Sequence, residues 1–229
     1  MESVWEYRWN LLDGVFVTIE IAIASVLISV LLGLLGAWGK LSGARVPGAI
    51  AEVYTTVIRG VPDLVLMLII FFGGQLILND LGEVSGLWDY IEINPFVAGV
   101  MTIGFIFGAY MTETFRGAFI SIPRGQIEAG VACGMSHALI FRRVIWPQLV
   151  RFALPSFTNN WLVLLKTTAL VSVIGLQDLV YNANAGGKAT REPFTFFFAV
   201  LMIYLLLTAI SDWGLKRLER KYSAGVRRA

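Results

Sequence analysis

The chain has 229 residues, of which 57% are hydrophobic and only 15% charged, and its formal net charge is +2. A soluble domain of this length needs more polar surface to stay dispersed, and so small a net charge gives no case for nucleic acid as a partner. The lone cysteine, Cys133, cannot make an internal disulfide. The lone histidine, His137, has no metal-ligand companions at binding spacing, so no metal site is expected.

The apolar residues come in long uncharged blocks rather than amphipathic periods, which predicts an all-α membrane protein. A bilayer core needs about 20 apolar helical residues. Met1 to Asp13 carries acids and aromatics and does not read as a cleavable signal peptide. A first span is expected at about 14–39, built on the uncharged run Ile21–Gly39. A second, at about 50–78, is less regular. Leu64–Leu78 is uncharged but short, and it reaches span length only through Ile50–Pro62, which holds Glu52, Arg59 and a Gly60-Val61-Pro62 break. The third, about 93–115, rests on Ile93–Thr112; the fourth, about 152–177, is interrupted by Lys166; the fifth, about 193–215, begins at Pro193. Together they make residues 1–229 one transmembrane domain. Gly33, Gly36, Gly99, Gly104 and Gly108 fall within spans, where small residues let helices approach closely.

Five spans put the two termini on opposite sides, and lysine and arginine choose the direction. With the C-terminus inside, the inner segments hold 13 basic residues (Lys40, Arg45, Arg116, Arg124, Arg142, Arg143, Arg151, Lys216, Arg217, Arg220, Lys221, Arg227 and Arg228) against 3 outside (Arg8, Lys188 and Arg191). The outer loop 79–94 carries Asp80, Glu83, Asp89 and Glu92 and no base. The expected topology is therefore N-out, C-in, and the longest cytoplasmic loop is 116–151.

That loop reads Glu128-Ala129-Gly130-Val131-Ala132-Cys133-Gly134 and runs on to Val144-Ile145-Trp146-Pro147. Ile127, Val131 and Met135 recur at helical spacing and can press on another surface. Gly134 permits a turn, and Pro147 is expected to stop a helix before the next span. The residues alone leave two readings: a helix lying on the membrane surface, or a contact for a cytoplasmic partner.

The loop resembles the cytoplasmic motif of bacterial ABC importer permeases, which is Glu-Ala-Ala, three residues, Gly, nine residues, Ile, one residue, Leu-Pro. Glu128, Ala129, Gly134 and Pro147 stand at matching places; Gly130, Val144 and Trp146 depart from it. Further segments are similar to the polar amino acid permease family of the histidine/lysine/arginine/ornithine type: Leu12-Asp13-Gly14, Thr18-Ile19-Glu20, Arg59-Gly60-Val61-Pro62, Tyr110 with Glu113 and Arg116, Ser121-Ile122-Pro123-Arg124-Gly125-Gln126, and Val173-Ile174-Gly175-Leu176. The resemblance covers nearly the whole chain. It implies a type I ABC importer permease fold in a bacterial inner membrane and a second permease, either a homologous chain or a copy of this one. It further implies two ATPase subunits gripping 128–147, and a periplasmic binding protein that delivers a polar, basic amino acid. ATP and Mg would be bound by the ATPases. This chain has no Gly-x-x-x-x-Gly-Lys-Ser/Thr motif, binds no cofactor of its own on this reading, and is expected not to be an enzyme.

Three residues are candidates for the cargo. Asp63 follows Pro62 inside the second span, where an ionisable group is costly unless it meets a cavity or a partner. Many members of the family carry an apolar residue there, and the acid is similar to the importers of basic amino acids. Its alternative role is an ion pair with Lys166 or Arg59. Glu113 is a second candidate, with an i,i+3 pair to Arg116 as its alternative. Thr168 is a third; its hydroxyl can bond a substrate carboxylate or turn back onto a helix carbonyl. The competing function is a stand-alone secondary transporter or channel for a small cationic solute. That function needs its own coupling-ion site or filter and usually an internal repeat, and the chain displays no repeat.

Overall fold

A computed structural model describes residues 2–223, and within them all regular structure is helical. A short helix α1 (Glu2–Glu6) leads into α2 (Arg8–Leu41), whose 34 residues reach about 50 Å at 1.5 Å per residue. Helix α3 (Arg45–Gly60) follows. The chain then breaks: Val61 (φ −114°, ψ 140°) and Pro62 (φ −59°, ψ 135°) are extended. Proline drives its predecessor out of the helical region and lacks an N–H to continue the ladder. A second long helix starts at Asp63. It comprises α4 (Asp63–Leu68), a π turn (Ile69–Gly73) and α5 (Gly74–Ser85).

Helix α6 (Pro95–Ile120) has a well-formed start. Asn94 Oδ1 accepts from Phe96 N (2.8 Å) and Val97 N (3.4 Å), and Pro95 occupies a first-turn position that needs no donor. Helices α7 (Arg124–Ala132) and α8 (His137–Ile140) form the next connection. A π turn (Phe141–Ile145) then joins α9 (Trp146–Thr167), and a 3₁₀ turn (Thr168–Ile174) ends it. Helices α10 (Leu179–Thr190) and α11 (Pro193–Ser223) complete the described chain. Arg227 and Arg228, both counted in the charge argument, lie outside the described residues.

Five helical stretches among the described residues are long and apolar enough to cross a membrane: Arg8–Leu41, Asp63–Ser85, Pro95–Ile120, His137–Ile174 and Pro193–Ser223. Two details differ from the sequence reading. The expected second span divides at Val61-Pro62, so Asp63 opens a helix rather than lying within one. Pro147 does not stop a helix; it sits in the first turn of α9, inside the continuous stretch from His137. The π turn directly before it widens the ladder where a proline ring would otherwise clash with the carbonyl one turn back.

The centre of the fold is the parallel pair α2 and α6. Ser25 Oγ donates to Val100 O (3.3 Å), Gly104 faces Ile28, Gly36 faces Thr112, and Lys40 reaches Glu113, so contacts keep step along both helices. The glycines make this possible. A Cβ at Gly104 would lie 2.8 Å from Ile28 Cβ, and one at Gly108 would lie 2.8 Å from Leu32 Cβ. Ile21, Met67, Ile103, Ile106, Phe107, Leu164 and Val171 fill the surrounding core. At the start of α2 a second cluster joins Leu11 to Leu179, Ala183 and Phe196, with the backbone of Leu179 against Gly14. By contrast, the helices Asp63–Ser85 and Pro193–Ser223 leave most of their apolar side chains uncovered, as lipid or another membrane chain requires.

Candidate functional site: a charged cavity beside the helix break

Helices α2, α3 and α6 border an open cavity of about 680 Å³ whose wall includes Lys40, Glu52, Arg59, Tyr110, Glu113 and Arg116. A second cavity, about 530 Å³, shares Arg59, Tyr110 and Glu113 with the first and extends to Pro155 and Asn160 on α9. The wall carries five charged side chains, Lys40, Glu52, Arg59, Glu113 and Arg116, and the pairing is specific. Lys40, next to last in α2, has a side chain only 8% exposed. Its ammonium donates to Glu113 Oε1 (2.6 Å) and Thr55 Oγ1 (2.7 Å) and pairs with Glu52 Oε2 (2.7 Å). Arg116 grips the other oxygen of Glu113 with Nε (2.9 Å) and Nη2 (2.7 Å). One carboxylate on α6 thus ties the end of α2 to its own next turn, and Lys40 ties both to α3.

Glu113 therefore lines both cavities, with each oxygen engaged. The expected i,i+3 pair with Arg116 is present; Lys40, 73 positions away, is the partner that spacing does not suggest. Asp63 is half-buried at the start of its helix, and its carboxylate has no hydrogen bond or ion pair among the described residues. Neither Lys166 nor Arg59 takes it. Arg59 lies four residues earlier, where an unbroken helix would bring the two charges together, but the extended Val61-Pro62 intervenes. Instead the Arg59 guanidinium lies 5.5 Å from the Tyr110 ring centre. Tyr110 stands within electrostatic reach of both Asp63 and Arg59.

Thr168 is placed differently. It is fully buried, its hydroxyl donates to Leu165 O (2.7 Å) and meets the Tyr204 hydroxyl at 3.4 Å, and it lines neither cavity. Lys40 entered the sequence reading only as an inner basic charge, and Arg59 and Tyr110 only in family-like segments and, for Arg59, as an alternative partner of Asp63; none was a candidate for the cargo. A usable signal did exist for Arg59, a base one turn before a Gly-Val-Pro break.

The loop 128–147 folds as two short helices around a tight reversal. Gly134 has φ +74°. Met135 N donates to Gly130 O (3.0 Å) and Gly134 N to Val131 O (2.9 Å), the paired bonds that close a helix over a left-handed residue. Gly130 is buried against Ile140, while Glu128, Ala129, Gly134 and Pro147 are exposed. Gln148 Nε2 donates to Gln126 Oε1 (2.6 Å) and Val144 O (2.8 Å), so α7 is fastened to the head of α9. The exposed face includes Val131, 56% accessible, and the free Cys133.

Comparison with known proteins agrees with this architecture. Residues 26–224 match the family described as binding-protein-dependent transport system inner membrane component. The chain is 53% identical over 219 residues to the histidine/lysine/arginine/ornithine transport system permease protein HisQ of Escherichia coli (strain K12), covering 96% of each chain. It is 37% identical to the octopine transport system permease protein OccQ of Rhizobium meliloti, over 96% of this chain and 92% of that one. It is also 37% identical to the arginine ABC transporter permease protein ArtQ of Haemophilus influenzae, over 90% of each. Among solved structures, an amino acid ABC transporter with histidines superposes with a TM-score of 0.81 at 32% identity, over 96% of this chain and 97% of that one. The MetNI methionine ABC transporter, at a TM-score of 0.70 and 20% identity, shares the fold. The chain thus belongs to the binding-protein-dependent transport system inner membrane component family and is homologous to the permease subunits of amino acid ABC importers.

Proposed function

We propose that this chain is the permease subunit of an ATP-driven importer for basic amino acids, such as arginine, lysine, ornithine and histidine, in a bacterial inner membrane. One observation carries the choice of cargo. Asp63 opens the helix just past the cavity wall and its carboxylate has no ion pair among the described residues, whereas Glu113 is held by Lys40 and Arg116. A cationic group arriving there supplies the missing charge-assisted hydrogen bond. The identity with HisQ points the same way. Glu113 shapes the cavity wall, and Thr168 supports the packing of the 3₁₀ turn after α9 against α11.

The chain lies N-out, C-in, which sets 128–147 on the cytoplasmic side. Two ATPases dock there, on the exposed face bearing Glu128, Ala129 and Val131, and they bind the ATP and Mg. A periplasmic binding protein delivers the amino acid from the other side, and a second permease covers the open flank of the cavity. ATP-driven approach of the ATPases moves the rigid reversal at Gly134, and the π turn and α9 carry that motion into the membrane.

Proteoliposomes holding the permease pair, the ATPases and the binding protein test the reading. ATP-dependent arginine uptake is expected, and Asp63→Asn should reduce it while basal ATPase activity persists. Asp63→Asn vesicles with wild-type rate and affinity would overturn the role of Asp63. Absence of any basic amino acid uptake by the wild type would overturn the cargo.

A further inference from the structure

Around the two cavities the charges nearly cancel, and the remainder is informative. Of the three cations in their walls, Lys40 is spent on Glu52 and Glu113, and Arg116 on Glu113. Arg59 lines both cavities, is exposed, and has no carboxylate partner among the described residues. Lys166, the other base at membrane level, lines neither cavity. The acids in the walls, Glu52 and Glu113, are both paired. Asp63 lines neither cavity, but it opens the helix three residues beyond Gly60 of the first cavity's wall and has no charged partner among the described residues. The two unmatched charges flank one feature, the extended Val61-Pro62 link, which prevents the pairing that their spacing would give in a helix.

We propose that Arg59 receives the α-carboxylate of the amino acid in transit, while Asp63 takes a positive group of the same molecule. The inference rests on the cargo reading above and assigns a further residue to it. A zwitterion is the chemical class that satisfies both leftover charges at once. The guanidinium fork matches a carboxylate with two parallel hydrogen bonds, which a lysine ammonium cannot reproduce. Tyr110 beneath Arg59 holds the fork by a cation–π contact without consuming its donors. Arg59 then selects for any α-amino acid, and Asp63 biases the choice toward cationic ones. The helix break keeps both charges available: an unbroken α3–α4 would let them neutralise each other and close the site.

The test uses the purified complex of permeases and ATPases in nanodiscs. Binding of L-arginine and of L-argininamide, which lacks the carboxylate charge, is measured by equilibrium dialysis at millimolar ligand. Wild type should prefer L-arginine. Arg59→Gln should weaken L-arginine roughly tenfold, leave L-argininamide nearly unchanged, and so erase the preference. Arg59→Lys should retain part of it, which a merely structural role would not predict. Asp63→Asn should weaken both ligands together. Arg59→Gln that keeps the preference, or that loses both ligands equally, overturns the assignment. Wild-type complex that binds neither ligand and imports no arginine overturns the cargo reading instead.

Discussion

Replacing Glu113 by glutamine tests whether the cavity wall is held by charge. The Lys40 side chain is 8% exposed and Glu113 20% exposed, so the substitution strands a nearly buried ammonium. Breaking one side of a buried ion pair costs roughly 3–5 kcal/mol. Here the loss is partial. Glu52 remains on Lys40, although it is 68% exposed and contributes little, and Thr55 keeps its hydrogen bond. Arg116, 38% exposed, can turn to water. About 2 kcal/mol is therefore expected, which for a chain of this size lowers the melting temperature by about 4–8 °C. The assay is thermal unfolding of the permease complex in nanodiscs at one scan rate, for Glu113→Gln, Lys40→Met, Glu113→Met and the Lys40→Met/Glu113→Met pair. The pair should be more stable than the two single methionine losses combined by about 1 kcal/mol or more, because the double variant leaves no stranded charge. Additive losses, or a Glu113→Gln shift within about 1 °C of wild type, would refute the reasoning.

Other consequences are equally direct. Gly104→Ala should cost about 1–3 kcal/mol and lower the yield of monodisperse protein, because its methyl meets Ile28 at 2.7–2.8 Å, whereas Gly117→Ala, with nothing within 4 Å, should be silent. Gly134→Ala forces a side chain onto φ +74°, at about 1–2 kcal/mol, and should reduce transport-coupled more than basal ATPase activity. Cys133, exposed on the reversal, should react with a maleimide in the isolated permease and be protected once ATPases bind; equal labelling in both would argue against docking at 128–147. Asp178 is fully buried, with Oδ1 accepting from Tyr181 N and Oδ2 without a partner among the described residues, and burial pushes its carboxyl up to about 6. A raised acid destabilises the fold when ionised, so stability should fall as pH rises from about 4 through 6. Asp178→Asn, which can still cap, should therefore exceed wild type by about 2–3 kcal/mol at pH 8 and match it near pH 4 in melting scans.

The amino-acid order alone carried the all-α membrane class, the five apolar stretches, the break before Asp63 and the family resemblance. These are local properties: hydrophobic run length, proline chemistry and motif spacing are written in neighbouring residues. The same locality explains the Glu113–Arg116 pair, three positions apart. It also explains where local reasoning failed, at Pro147, because a π turn upstream relieves a clash that residue preference alone makes look prohibitive. The charge ledger of the cavity was a different matter. That Lys40 meets Glu113 depends on α2 and α6 running parallel in one register, set by glycines at their contact and by a chain that crosses back between them. That Thr168 faces Tyr204 rather than the cavity depends on how the 3₁₀ turn after α9 is set against α11. Burial and pairing arise between segments far apart in sequence, so only tertiary packing decided which charges cancel. Once they had, Arg59 and Asp63 remained without an ion pair among the described residues, kept apart by a break the sequence announced but whose consequence only the folded chain displays.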